Sequence, residues 1–210
     1  EKGVTYQQSS SFPANIATVS DPMVFRDIVM VQVSVTPFQY NPALKTLTVI
    51  QEIDLELVES GATEVPYIPQ QKSREFEILY ESLVVNYPST IREGEEVYQR
   101  PSILYVLPNN IGNLLGTVEE LMNWKKRVGF DVQYVSTSSI VNNRNNLKNY
   151  IEDAYETWEN PPVHVTIVGD VDGSYDIPTW NESYSGYSGE GDMPYTTLEG
   201  NDVYPEVFIG

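Results

Sequence analysis

Over the first ~60 residues, hydrophobic and polar positions alternate with period two. In Ile28-Val29-Met30-Val31-Gln32-Val33-Ser34-Val35 the valines 29, 31, 33 and 35 share one face. Further on, Leu47, Val49, Ile53, Leu55 and Leu57 face one way, while Thr48, Glu52, Asp54 and Glu56 face the other. Such alternation predicts antiparallel strands with one wet side. The connection Thr36–Ala43 holds Pro37, Asn41 and Pro42 and reads as a long hairpin loop. Two or three strands are too few to be stable alone, so this module is expected to continue upstream or to pack on its neighbour.

The pattern then changes. Residues 61–72, with Gly61, Pro66 and Pro69, have no period and read as a linker. Phe76, Leu79, Tyr80, Leu83 and Val84 recur at helical spacing and predict one amphipathic helix, stopped by Pro88. Residues 88–101 are polar again, carrying Glu93, Gly94, Glu95 and Glu96. The expected organisation is a β-rich, sandwich-like module over 1–60, a linker with one helix over 61–100, and an α/β subdomain over 101–210.

In that last stretch strands alternate with helices. Ile103–Leu107 is a continuous apolar run, as in a strand covered on both faces. Leu114, Leu115, Val118, Leu121 and Met122 form a helical stripe, and Gly129 stands where a C-terminal cap belongs. Asp131–Val135 reads as a second strand. A second helix carries Leu147, Tyr150, Ile151, Ala154 and Trp158 and stops at Pro161-Pro162. Val163–Val168 is a third strand, and a last one falls around Glu206–Ile209, after a Gly/Ser/Tyr-rich loop. This βαβαβ order implies a parallel, Rossmann-like sheet and an α/β fold class.

Charge narrows the partners. Thirty acidic residues against 12 basic ones give a net charge of −18, which disfavours nucleic-acid backbones. No window is apolar enough for a membrane span, and the start, Glu1-Lys2-Gly3-Val4, has no signal-peptide core, so any targeting segment is expected outside this sequence. Cysteine is absent, which removes disulfides, thiolate metal sites and a cysteine nucleophile from the chain itself.

Candidate chemistry concentrates where open α/β sheets place ligands, at the carboxyl ends of strands. Gly169-Asp170-Val171-Asp172-Gly173 follows the third strand, and its D-x-D spacing suits a hard cation, with Asp192 and Asp202 as further candidate ligands. The same residues read more simply as a polar turn after a buried strand. His164, the single histidine, lies inside a strand and reads as structural. No G-x-S-x-G elbow is present, and the Pro108–Gly112 loop matches neither nucleotide-binding glycine pattern. The loop Tyr184–Gly189 reads either as a recognition surface or as an ordinary loop resting its rings on the domain.

Several segments carry a family resemblance. Asn123–Val132, Ile167-Val168-Gly169-Asp170, Gly191–Tyr195 and above all Gly200-Asn201-Asp202-Val203-Tyr204-Pro205-Glu206-Val207-Phe208-Ile209-Gly210 resemble gingipain-like cysteine peptidases, peptidase family C25. The module around Pro37–Pro42 resembles the end of the propeptide of that family. The resemblance implies a secreted or cell-surface bacterial endopeptidase made as a zymogen, with a caspase-like catalytic domain. It further implies a catalytic His and Cys downstream of this chain, calcium as a structural ion (sought at Asp170, Asp192 and Asp202), protein or peptide substrates, and an intramolecular propeptide contact. Arg74, Arg92 and Arg100 make 61–100 the expected cleavage region. Two other readings stay open: a non-enzymatic calcium-dependent binding or scaffold module, and a magnesium-dependent phosphoryl enzyme using Asp170 and Asp172.

Overall fold

The structure is a computed structural model that describes residues 3–58, 70–87, 97–140 and 142–210. The expected linker punctuation at Gly61, Pro66, Pro69, Pro88 and Gly94, and Arg92 with it, lies outside those residues. Backbone packing divides the chain into two compact units, one of Glu1–Pro22 with Met30–Val65, the other of Met23–Val29 with Pro66–Gly210.

The first unit is built of two-stranded antiparallel ladders. Strand β1 (Ala17–Val19) pairs with β4 (Val33–Val35), and β5 (Phe38–Asn41) pairs with β6 (Thr46–Val49). The expected long hairpin loop over 36–43 is itself partly strand, and the chain reverses at 42–45, where Asn41 Oδ1 accepts the Leu44 amide at 3.0 Å. Lys45 closes that turn with φ 54°. The apolar rows are present but not covered: Val33, Val35, Leu47 and Val49 are all exposed. A pair of strands offers too few neighbours to bury a face, as the alternation alone could not reveal.

The run 28–35, read as one strand, is two. β3 (Ile28–Met30) pairs with β2 (Met23–Phe25), whereas β4 belongs to a different ladder, and the Gln32 amide between them bonds Ser20 Oγ. The β2–β3 hairpin turns through Arg26 and Asp27 and, up to Val29, is part of the second unit.

That second unit is α/β. Its sheet has four parallel strands in the order β12-β9-β7-β8, formed by β7 (Ser102–Leu107), β8 (Asp131–Ser136), β9 (His164–Ile167) and β12 (Phe208–Ile209). Helix α1 (Arg74–Leu83) precedes it, α2 (Leu115–Arg127) joins β7 to β8, and α3 (Thr137–Ile140) with α4 (Arg144–Thr157) join β8 to β9. All six residues of β7 are buried, which explains its unbroken apolar run. Their alternation sorts them between two layers. Ile103, Tyr105 and Leu107 pack with Met122 and Val132, whereas Leu104 and Val106 pack with Leu147, Ile151, Tyr155, Val165 and Val207. Each such side chain contributes roughly 1.5–3 kcal/mol relative to exposure.

Local signals agree with this architecture. Asn143 caps α4, accepting the Asn145 and Asn146 amides at 2.9 and 3.4 Å. Gly129 ends the α2 segment at φ 104°, a conformation that favours glycine. The stretch expected as a Tyr-rich loop is a regular hairpin, β10 (Trp180–Tyr184) and β11 (Tyr187–Gly191), turning through Ser185 and Gly186 at φ 50° and 88°. Among the described residues no helix is long and apolar enough to cross a membrane.

Candidate functional site

The parallel sheet has two chemically distinct ends. At the carboxyl end of β9, Asp170 is exposed, and its Oδ1 accepts the amide of Val171 at 2.8 Å. Its backbone forms a bridge with Asp176, donating to Tyr175 O at 3.0 Å and accepting from Ile177 N at 2.7 Å. Gly169 is required at this crossing, because a Cβ there would lie 2.5 Å from Tyr175 O. Asp192 stands at the base of the β10–β11 hairpin, where it accepts the Thr179 hydroxyl at 2.6 Å.

Asp202 belongs elsewhere. It lies in the loop leading into β12, and its two oxygens accept the amides of Val24 and Tyr204 at 3.0 and 2.9 Å. The three acids singled out from sequence therefore serve separate local roles. Among the described residues no group of three or more His, Asp or Glu side chains is arranged to hold a metal ion. His164 sits inside β9, stacked on Phe208 at 5.3 Å, and burial pushes its pKa down. It has the surroundings of a packed ring.

The densest polar construction is at the other end of the sheet, and sequence reading missed it. The turn of the β2–β3 hairpin places Arg26 at φ 53°, fully buried. Its guanidinium donates to Gln99 Oε1 at 2.7 Å, to Pro162 O at 3.2 Å and to Glu206 O. It also stacks over the rings of Phe76 at 5.1 Å and Tyr155 at 5.5 Å. Gln99 is held in turn by Pro161 O at 2.9 Å and Ser102 Oγ at 3.3 Å. Asp27, the other turn residue, accepts the Tyr80 hydroxyl from α1.

Around this seat the acids of the β12 loop converge. Glu206 is fully buried; its Oε2 accepts the amides of Leu198 at 2.6 Å and Glu199 at 3.3 Å, while Oε1 has no hydrogen-bond partner. Burial, reinforced by Asp202 and Glu199, pushes its pKa up to about 7 against the amide bonds that favour the charged form. Glu199 accepts the Tyr155 hydroxyl at 3.0 Å, and that hydroxyl also bonds the carbonyl of Arg26 at 3.3 Å. An isolated arginine in a strand-like run gives no pattern by which this could have been found.

Comparison with known proteins places these two constructions. Residues 97–210 match the description Peptidase family C25, and residues 3–93 match Propeptide_C25. The chain belongs to peptidase family C25. It carries a family propeptide segment followed by the amino-terminal part of the catalytic region. The hairpin bearing Arg26 and helix α1 thus lie in the propeptide match, and the acceptors of Arg26, namely Gln99, Pro162 and Glu206, lie in the peptidase match.

Gingipain R2 of Porphyromonas gingivalis (strain ATCC BAA-308 / W83) is 30% identical over 213 residues, covering 99% of this chain and 28% of that protein. Gingipain R1 of the same species is 29% identical over 212 residues, covering 99% of this chain and 20% of its own length. The chain therefore spans less than a third of these relatives. Among solved structures, the Arg-specific cysteine proteinase gingipain R is similar at 27% identity and TM-score 0.42, over 52% of this chain and 23% of that one. A complex of gingipain pro- and mature domains is similar at 26% identity and TM-score 0.43, over 52% and 24%.

Proposed function

We propose that this chain is the propeptide-to-catalytic junction of a secreted bacterial cysteine endopeptidase made as a zymogen. The observation that carries the reading is the order of the two C25 matches, propeptide then peptidase, along one chain. On this reading the catalytic Cys and His lie downstream, and the absence of Cys from the sequence and the packing of His164 within β9 support it. In the whole protein a thiolate would attack the scissile carbonyl of a protein or peptide substrate. A histidine would carry the proton, and backbone amides would hold the oxyanion. The sheet would continue past β12 into a caspase-like catalytic domain, and the β-rich module would complete a sandwich-like propeptide.

Calcium belongs to this reading as a structural ion. At the β12 loop the candidate is Asp202, whose two oxygens already accept the amides of Val24 and Tyr204. Asp170 and Asp192 are the candidates at the carboxyl end. Titration calorimetry with melts in calcium and in chelator tests the ion. Stabilisation lost in Asp202→Asn assigns it to the β12 loop, stabilisation lost in Asp170→Ala assigns it to the β9 end, and no stabilisation removes calcium from the reading.

The enzymatic claim is tested by the coding sequence past Gly210 and by expression of the longer chain. A His and a Cys there, with endopeptidase activity abolished by thiol alkylation and absent from the 210-residue chain, support it. A longer chain without either residue overturns it.

A further inference from the structure

The Arg26 seat has the features of a specific site, beyond those of a packed turn. Its three acceptors come from three separated segments: the lead-in to β7, the lead-in to β9 and the lead-in to β12. All three are neutral oxygens, two of them backbone carbonyls. Aromatic rings from α1 and α4 lie against the guanidinium plane. This combination selects a planar fork, since an ammonium is a point charge that neither bridges spread acceptors nor stacks. The seat also imposes a cost on the hairpin: Arg26 is held at φ 53°, and a buried cation is taken from water without a carboxylate among those three acceptors.

Hydrophobic packing alone would not ask for any of this. Phe25 already fills the space among Phe76, Tyr80 and Tyr204, with centroids 5.8, 5.1 and 5.3 Å away. An apolar turn residue would have sufficed for adhesion. We infer that the amino edge of the α/β sheet carries a guanidinium-binding seat, filled by Arg26, and that this arginine is the key by which the propeptide hairpin is recognised. The seat lies at the strand ends opposite Asp170, so it holds the propeptide without occupying the carboxyl ends of the strands. Once vacated, it takes a guanidinium from solution.

Chemical rescue in the full chain tests this. Arg26→Ala is expected to lower the melting temperature by roughly 10 °C, the effect of stranding a set of buried acceptors. Ethylguanidinium at tens of millimolar should restore a good part of that loss in the variant and none in the wild type, while ethylammonium should restore none. Equal effects of the two cations, or no rescue, overturn the inference. Limited trypsinolysis of the wild type provides a readout that survives failure of the variant to fold. The bond after exposed Lys45 should be cut while that after Arg26 resists, and both should be cut in denaturant. Native cleavage after Arg26 as fast as after Lys45 overturns the seat.

Discussion

Glu206 Oε2 accepts the amide of Leu198 at 2.6 Å, while the other oxygen of the same carboxylate is buried without a partner. Half of this group is built for a charge and half is not. Burial pushes the pKa of this carboxyl up. The groups facing it are Asp202 and Glu199 from its own loop, Tyr155 from α4, and Arg26, which reaches its backbone carbonyl.

The first prediction follows from the sign of that shift. Folding raises the pKa of Glu206 from 4.5 to about 7, so the folded state prefers the protonated acid. Its contribution is fully present below about pH 4.5 and is lost as pH rises through 7. Asp27, also pushed up by burial, acts in the same direction, whereas His164, pushed down, favours the neutral side of its range. Glu206→Gln should flatten the fall between pH 5 and 8 and raise the melting temperature at pH 8 by roughly 5 °C. A variant less stable than wild type at pH 8 would show that the charged form is needed.

A second prediction contrasts two glycines. A Cβ at Gly169 would meet Tyr175 O at 2.5 Å and Ile177 Cγ1 at 2.9 Å, so Gly169→Ala should cost about 2–4 kcal/mol. Gly116, in the first turn of α2, has nothing within 4 Å of the same position, and Gly116→Ala should gain up to about 1 kcal/mol. Urea unfolding of both variants checks the pair. Similar midpoints would argue against the crossing at Gly169.

A third concerns the helix of the propeptide match. Phe76 is fully buried and packs at a tilt against Phe208 with centroids 4.5 Å apart, so Phe76→Ala should cost about 3–5 kcal/mol. Ile78, two residues on and 72% exposed, should cost less than about 0.5 kcal/mol when changed to Ala. Equal losses would mean that α1 presents a different face.

The cap of α4 gives a fourth. Asn143→Ala removes the acceptor of two amides and should cost about 1 kcal/mol, read as a drop in melting temperature of a few degrees. Asn143→Asp should keep most of the stability, because the carboxylate also accepts and suits the helix N-terminus.

Much of the α/β unit was legible from residue spacing. Ile103–Leu107 announced a strand covered on both faces, and Leu147, Ile151 and Ala154 announced the buried face of α4. The helix at 74–83 was found from Phe76 and Tyr80, although Leu83, counted in the same stripe, is exposed. The valines of 28–35 misled, because one alternation runs through two strands of different ladders and nothing in the period marks the break at Val31-Gln32. Tyr184–Gly189 misled in the opposite way, its glycines and serines belonging to a hairpin and its turn.

The candidate site divides along the same line. Asp170, Asp192 and Asp202 could be picked out one by one, yet no spacing says that the first two lie away from Asp202 or that Asp202 binds the backbone of Val24.

What the sequence determined alone is the periodic part: helices and strands whose burial repeats every 3.6 or two residues. That information is local, carried by neighbours within a few turns of chain. What only the tertiary structure decided is the seat of Arg26, which joins residues 73, 136 and 180 positions apart. Its acceptors are largely backbone carbonyls, which every residue possesses, so no side-chain pattern records where they will meet.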